Sequence, residues 1–207
     1  MDNRDILMLD IRSGEIGESY DRGSFSLLDV YELPHADLSA YKCLVINGSV
    51  DQEFLLKHKG IIHRFLDSGK VLLYGGHLFR PWLPGGSDFI PRTIRGHRDY
   101  DITIVQADPL FEGVDPYDLT YNKGVAGFFA RGHHPLPQGA EALLTLPGGE
   151  PTLYIDRSST RGTLMVSSGN ILLGYQDESR STGQIGRRVV QWIYDEYARI
   201  QKGRGVS

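Results

Sequence analysis

The sequence predicts an α/β protein, a flavodoxin-like three-layer sandwich in which helices cover both faces of a mainly parallel central sheet. Three observations predict this class. Residues 42–47 and 71–74 are continuous apolar runs, which is typical of strands buried on both faces of a parallel sheet. Residues 51–68, between them, carry apolar side chains at helical spacing. A strand, a helix and a strand in this order form a right-handed βαβ unit.

The elements before and within this unit follow from local patterns. Apolar runs at residues 6–11 and 25–33 predict the first two strands. Asp51 suits the N-cap of the helix, and Gly69 suits its C-terminal stop.

The chain between residues 102 and 168 is predicted to be a β-rich insertion. It opens with a strand at residues 102–106. Short β-type runs separated by Gly and Pro turns follow, at residues 125–130, 142–146, 152–155 and 163–167. A last buried strand at residues 171–175 and an amphipathic helix at residues 183–201 then close the fold. The whole chain, residues 1–207, is predicted to be one domain.

Composition excludes several classes of function. The 207 residues are 40% apolar, which is enough for a core, and their formal net charge of −4 disfavours nucleic acid as a partner. The single cysteine, Cys43, excludes an internal disulfide and a multi-cysteine metal site. No run approaches the roughly 18 apolar residues of a membrane span, and the N-terminus lacks the basic start of a signal peptide. We therefore expect a cytoplasmic protein with no membrane partner.

The fourth strand ends in a glycine turn at residues 74–77 (Tyr-Gly-Gly-His), at the edge where parallel sheets bind ligands. Glycine permits a tight turn and a close approach of the backbone to a ligand, so Gly75 and Gly76 predict a ligand-facing turn. A turn that serves only packing is the alternative. Asn47 and Gly48 end the third strand at the same edge.

A second polar segment, residues 175–178 (Tyr-Gln-Asp-Glu), follows the predicted last strand. Glu178 suits a general base or a ligand-binding carboxylate. A solvated acid ahead of the closing helix is the alternative, because loops after strands carry both.

These segments resemble the class I glutamine amidotransferase-like proteins, in the broad sense that includes the ThuA-like proteins. In that family the fourth strand leads into Gly-x-Cys-x-Gly-His, and residues 72–77 (Leu-Leu-Tyr-Gly-Gly-His) lie over this pattern. The family's last strand leads into His-Pro-Glu, over which residues 175–178 lie. Residues 102–114 resemble a ThuA-like strand followed by Asp-His-Pro-Ile-x-x-Gly. The resemblance covers most of the chain and implies the same fold.

The departures from the family pattern bear on activity. The family's nucleophilic cysteine falls on Tyr74 or Gly75, its catalytic histidine falls on Gln176, and only its glutamate is matched, as Glu178. Without a thiolate and a base to activate it, covalent glutamine hydrolysis cannot operate. Cys43 lies inside the predicted third strand, where a cysteine acts as a small hydrophobic residue. Glutaminase activity is therefore predicted to be absent.

Other polar side chains offer further chemistry. The loop histidines His77, His97 and His133 would suit a metal or acid–base catalysis if they converged, and scattered histidines are the alternative. Trp82 stands between two prolines with Arg80 nearby, which suits stacking on a sugar ring while arginine holds a carboxylate or phosphate. A Trp that covers the edge of the core is the alternative.

Two hypotheses of function follow. The first is an amidotransferase-like binding or partner domain for a small sugar- or carboxylate-like molecule, with no cofactor. The second is a ThuA-like hydrolase or lyase that uses His77 and Glu178 on a sugar-related substrate, with or without a metal. Exposed edge strands in the insertion are compatible with a homodimer. The predicted ligand contacts are Asp10, Arg12, Asn47, Gly48, Tyr74, Gly75, Gly76, Arg80, Trp82 and Gln176.

Overall fold

The computed structural model describes residues 3–10, 25–122, 125–126 and 130–204. The strands of its central sheet are β1 Asn3–Asp10, β2 Phe25–Asp29, β3 Cys43–Asn47, β4 Val71–Gly75, β6 Thr103–Ile104, β10 Glu141–Thr145, β11 Pro151–Asp156 and β12 Thr163–Ser167. They lie in the order β2-β1-β3-β4-β12-β11-β10-β6. Two-residue strands pair outside this sheet: β5 Ile90–Pro91 with β9 Gly132–His133, and β7 Tyr121–Asn122 with β8 Val125–Ala126. The prediction of an α/β protein on a mainly parallel sheet is confirmed.

β12 belongs to the parallel part of the sheet. It pairs in parallel with β4, placing Thr163 opposite Val71 and Ser167 opposite Gly75. Only β11, β10 and β6 continue antiparallel beyond it. The prediction that residues 163–167 belong to an antiparallel insertion was therefore wrong. Every residue of β12 is buried, as a central parallel strand requires.

Helices cover both faces of the sheet. α1 (Gln52–Lys57) and α2 (Lys59–Asp67) pack on one face, and α4 (Ile185–Arg204) packs on the other. Alternate residues of β1, β3 and β4 point into these two apolar layers. A short helix, α3 (Pro116–Thr120), precedes β7. In the described part of the chain, no helix is both long and apolar enough to span a membrane.

The predicted helix 51–68 is divided at His58. Asp51 caps it as predicted, since its Oδ1 accepts from Phe54 N at 3.0 Å, and Gly69 ends it with a φ of +78°. His58 closes α1 with φ −107° and ψ 15°, and α2 begins directly after it. Gly60, with its low helix propensity, stands in the first turn of α2 and weakens continuity there.

The predicted last strand at residues 171–175 is a short 3₁₀ turn at Leu172–Gly174, so that prediction was wrong. β12 already has β4 on one side and β11 on the other, so no place is left beside it for another strand. Ile171 packs against Gly75 instead. The apolar run reflects burial beneath α4 and not strand pairing.

The predicted strand at residues 102–106 is shortened to β6. The Ile102 N–H donates to Thr120 Oγ1 at 2.8 Å, which directs the start of the run toward α3. The predicted run at 125–130 is seen only as β8, and residues 127–129 lie outside the described part of the chain.

Glu196, on α4, is a buried carboxylate that ties the helix to the sheet. Its Oε1 accepts from Thr163 Oγ1 at 2.6 Å, Arg157 Nε at 2.9 Å and Arg199 Nη2 at 2.6 Å. Burial raises the pKa of Glu196, but the hydrogen bonds from these three donors outweigh burial and lower the pKa to about 2.

Glu196→Gln is expected to lower the free energy of unfolding by about 2 kcal/mol near neutral pH, because a neutral amide cannot replace the charged acceptor. A lowered pKa means that the ionised carboxylate stabilises the fold above its ordinary pKa of 4.5 and stops doing so as pH falls through about 2. Urea unfolding of both proteins at neutral and acidic pH measures this, and the gap should shrink in acid. A gap independent of pH would contradict the assignment. Glu141→Gln, at an exposed partner of Arg157, is the control with little expected effect.

Candidate functional site

The carboxyl ends of the parallel strands meet at one edge of the sheet. β1 ends at Asp10, and Asn47 of β3 and Ser167 of β12 lie on either side of Gly75 in β4. We call this the carboxyl edge, and it is where parallel sheets bind ligands. Arg12 of the predicted site lies outside the described residues.

Gly48 and Gly76 bring the ends of β3 and β4 into backbone contact. The Gly48 N–H donates to Gly75 O at 2.6 Å, and the Gly76 N–H donates to Ser167 O at 3.0 Å. Gly76 has a φ of +143°, and a Cβ there would lie 2.4 Å from Gly48 Cα. Packing therefore requires glycine at both positions, and these two amides are already hydrogen-bonded within the protein.

Gly75 stands where the resembled family places its nucleophile or a neighbour of it. It is buried, and a Cβ there would lie 2.6 Å from Ile171 Cγ1 and 2.8 Å from Ile171 N. No side chain fits at this position unless Ile171 moves. Cys43 is fully buried in β3, as predicted, and burial raises the pKa of its thiol. Neither position offers a reactive thiolate at the carboxyl edge.

His77 is an exposed histidine of the carboxyl edge. Its ring stacks on Phe89, with centroids 3.7 Å apart and an interplanar angle of 13°. Partial desolvation lowers the pKa of His77, and the nearby His134 and Arg131 lower it further. The ring is therefore neutral near pH 7, which is the form that can accept a proton or a hydrogen bond.

His134 is a buried histidine beside this turn that the sequence analysis did not select. Its Nε2 lies 2.9 Å from Gly76 O, and its Nδ1 lies 2.8 Å from Ser87 O. Burial lowers the pKa of His134, and the two carbonyl acceptors oppose this shift. A neutral ring donates to one carbonyl and a protonated ring donates to both. The sequence predicts a role for the neighbouring His133 only because that histidine follows a glycine in a loop.

Gln52, in the first turn of α1, organises the chain after the glycine turn. Its Nε2 donates to His77 O at 2.8 Å and to Tyr74 Oη at 3.2 Å; its Oε1 accepts from Phe79 N at 3.1 Å and from Trp82 Nε1 at 3.3 Å. Tyr74 and Trp82 are 1% and 0% exposed. Trp82 is therefore not an exposed, ring-stacking side chain and instead belongs to the core, which was the alternative. A ligand contact by Tyr74 stays a prediction. Both residues belong to the core beneath the site.

Two further predicted ligand contacts have partners within the chain. Arg80 forms an ion pair with Glu53 on the surface. Because Trp82 is buried, Arg80 and Trp82 do not form a joint ligand-binding surface. Asn47 Oδ1 accepts from Ser49 N at 3.0 Å and from Ser49 Oγ at 3.0 Å, so its side chain shapes the loop after β3.

Glu178 and Gln176 lie on the exposed segment that leads to α4. Glu178 pairs with Arg187 at 2.9 Å, and Gln176 Nε2 donates to Leu173 O at 3.1 Å. Among the described residues, no direct hydrogen bond joins Glu178 to His77. Their assignment as a catalytic pair stays a prediction.

The three histidines considered for a metal do not form one cluster. His97 lies in a 3₁₀ turn, His97–Tyr100, ahead of β6, whereas His77 and His133 lie near β4 and β11. Within the described ranges, no group of three His, Cys, Asp or Glu side chains is arranged to hold a metal ion.

A polar cluster at the carboxyl edge consists of Arg92, His133, Glu150 and Thr152. Arg92 Nη1 donates to Glu150 Oε1 at 2.5 Å. Ser168 Oγ lies 3.3 Å from Thr152 O and 3.0 Å from the carbonyl preceding His133, which places β9 beside the start of β11. Four buried atoms of the cluster, Arg92 Nε, His133 Nδ1, Glu150 Oε2 and Thr152 Oγ1, have no hydrogen-bond partner in the described chain. The cluster comes from three separate segments, so no local motif could predict it.

No protein-family model matches the sequence, and no curated protein sequence matches it. Among solved structures, the chain is similar to the exo-β-1,4-mannosidase Op5Man5 from Opitutaceae bacterium strain TAV5, with 14% identity and a TM-score of 0.48 over 93% of this chain. It is also similar to the cytoplasmic protein STM1381 from Salmonella typhimurium LT2, with 13% identity and a TM-score of 0.49 over 91% of this chain and 98% of that one. The chain spans 35% of the mannosidase. Likenesses at this level do not identify a family.

Proposed function

We propose that this chain is a class I glutamine amidotransferase-like binding domain that lacks glutaminase activity and holds a small sugar- or carboxylate-like ligand at the carboxyl edge. In this proposal the central sheet and the helices on its two faces form a flavodoxin-like three-layer sandwich, and the protein acts in the cytoplasm without a cofactor. A second copy of the chain is a compatible partner.

The contact between Gly75 and Ile171 carries the proposal. Covalent glutamine hydrolysis needs a nucleophile on the turn after the fourth strand, with a base beside it. At that turn a Cβ on Gly75 would lie 2.6 Å from Ile171 Cγ1, so a nucleophilic side chain would fit there only if Ile171 moved. A scaffold without its nucleophile retains the edge at which ligands bind.

The polar cluster supports a polar ligand at this edge. Thr152 is 1% exposed, and its hydroxyl has no partner among the described residues, as is also true of His133 Nδ1 and Arg92 Nε. Buried polar atoms without partners are costly, and a ligand with hydroxyl or carboxylate groups that entered between these segments would supply both donors and acceptors. The exposed His77 ring on Phe89 adds a flat surface beside them.

The test combines an assay for ammonia release from glutamine with calorimetric titration of glucose, gluconate and succinate. We expect no ammonia release, and saturable binding of at least one titrant that weakens about tenfold in His77→Ala and Arg92→Lys. His35→Ala, at an exposed histidine on another segment, is the matched control and should bind as the wild type does. Ammonia release that disappears in Cys43→Ser would overturn the proposal, and so would the absence of saturable binding to all three titrants.

A ThuA-like hydrolase or lyase is the second candidate, and the lowered pKa of His77 favours it, since a neutral imidazole at a ligand edge can act as a base. Turnover of an aryl glycoside that is lost in both His77→Ala and Glu178→Gln would favour this candidate over a binding domain. This activity should fall as the pH drops through the pKa of His77, which lies below the ordinary value of 6.5, because a protonated imidazole cannot act as a base.

A further inference from the structure

A groove of about 500 Å³ lies at the start of β6, the edge strand farthest from β2 in the central sheet. Its lining includes His97, Arg98, Asp101, Tyr117, Thr120 and Tyr121. β6 is four strands from β4 in the sheet order, a separation of about 19 Å at the usual strand spacing. The groove is thus remote from the Gly75–Gly76 turn, although Arg92 Nη2 of the polar cluster lies 3.8 Å from Asp99 Oδ1, on the turn that carries His97 and Arg98. Its volume falls within the range of small-molecule sites.

One wall of the groove is a pair of tyrosine rings. Tyr117 of α3 and Tyr121, one helical turn later, have ring centroids 4.6 Å apart and planes tilted by 30°. Tyr117 is 61% exposed, although aromatic side chains of this size are mostly covered in folded proteins. Thr120, between them, is fixed because its hydroxyl donates to Pro116 O at 3.0 Å and accepts from Ile102 N at 2.8 Å. The rings therefore form a supported apolar surface that faces solvent.

The other wall carries an arginine and a histidine that form no ion pair with an acidic side chain. The side chains of Arg98 and His97 form no hydrogen bond or ion pair with any residue in the described part of the chain. By contrast, Arg80 pairs with Glu53 and Arg92 pairs with Glu150. The Arg98 side chain thus remains available to an anion, and it lines the groove beside Tyr117 and Tyr121.

Asp101 completes the chemistry of the groove. The Asp101 N–H donates to Arg98 O at 3.2 Å, so the carboxylate stands on the same turn of the backbone as Arg98 and His97. A carboxylate accepts hydrogen bonds from hydroxyl groups, as it does in many sugar sites, and disfavours a ligand that is anionic along its whole length. The groove therefore matches a ligand with an anionic end, a hydroxyl-bearing body and an apolar face.

We propose that this groove binds a sugar phosphate, with the phosphate on Arg98 and His97, ring hydroxyls on Asp101 and an apolar face of the ring against Tyr117. Arginine and phosphate form strong, charge-assisted hydrogen bonds, and these would hold the phosphate end of the ligand at Arg98. This site does not depend on the function proposed for the carboxyl edge.

The test is calorimetric titration of the full chain with glucose 6-phosphate, glucose and inorganic phosphate. We expect glucose 6-phosphate to bind more tightly than either other probe, and to bind about tenfold more weakly in Arg98→Ala and in Tyr117→Ala. Tyr117→Phe keeps the ring and should retain binding. Arg95→Ala removes an exposed arginine from the same segment, outside the groove lining, and should also retain it.

Two results would overturn the proposal. One is the absence of saturable binding of glucose 6-phosphate by the wild type. The other is equal affinity for inorganic phosphate with no effect of Tyr117→Ala, which would indicate non-specific attraction of an anion. His35→Ala, at an exposed histidine on another segment, should leave glucose 6-phosphate binding unchanged. If glucose 6-phosphate binding were lost in His77→Ala and retained in Arg98→Ala, the ligand would lie at the carboxyl edge, and the proposal for the groove would be overturned.

Discussion

Gly76→Ala is expected to lower the free energy of unfolding by about 4 kcal/mol, the largest effect of a single methyl group in this site. Two costs combine. The φ of +143° is one that side chains rarely adopt, and the added Cβ would lie 2.4 Å from Gly48 Cα and 3.0 Å from Gly48 N. The obstruction is backbone, so no rotamer change relieves it. Urea unfolding followed by circular dichroism measures the loss.

Two comparison variants separate these costs. Gly149→Ala places a methyl group at a φ of +84° with nothing within 4 Å, so only the conformational cost of about 1 kcal/mol should appear. Gly48→Ala tests the contact from the other side, since its Cβ would lie 2.7 Å from Gly76 Cα. If Gly76→Ala were no more destabilising than Gly149→Ala, the close approach of the two turns would be contradicted.

Gln52→Leu is expected to lower the free energy of unfolding by about 3 kcal/mol, although leucine is close to glutamine in size. Gln52 is 1% exposed, and its amide makes four hydrogen bonds. Its loss would leave the buried Tyr74 hydroxyl and Trp82 indole N–H without their partner. Urea unfolding gives the change in stability, and a red shift of tryptophan emission would report that Trp82 has become more solvated.

The neighbouring Glu53→Ala is the matched control, because it removes the ion pair with Arg80 from an exposed position of the same helix. Exposed pairs contribute at most about 1 kcal/mol, so little change is expected. A loss in Gln52→Leu no greater than that in Glu53→Ala would show that the amide does not organise the chain after β4.

The βαβ unit was predictable because its signals are local. Asp51 as a cap, Gly69 at positive φ and continuous apolar runs each act within a few residues. The pairing of residues 163–167 was not predictable, because a buried strand has the same apolar sequence whether its neighbours are parallel or antiparallel. The apolar run at 171–175 was misassigned for a related reason, since burial beneath α4 produces the same composition as burial in a sheet.

The candidate site depended even more on long-range contacts. The glycine turn was located from sequence, but its role followed from the register that sets Asn47 beside Gly75, which no local pattern specifies. The burial of Trp82 depends on Gln52, thirty residues earlier in the chain. Proline and glycine around a tryptophan indicate a rigid loop and do not say which way the ring points.

The two carbonyl contacts of His134 have a mechanical consequence. Gly76 O and Ser87 O stand at the two ends of residues 77–87, and both touch one imidazole ring. The ring therefore lies at the base of a compact Ω-loop. The neutral ring donates to one of the two carbonyls, and only the protonated ring would donate to both and close the loop as a short cross-link does. A ligand that displaces His77 would act on Ser87 across a single side chain, and the intervening residues need not change conformation to transmit it.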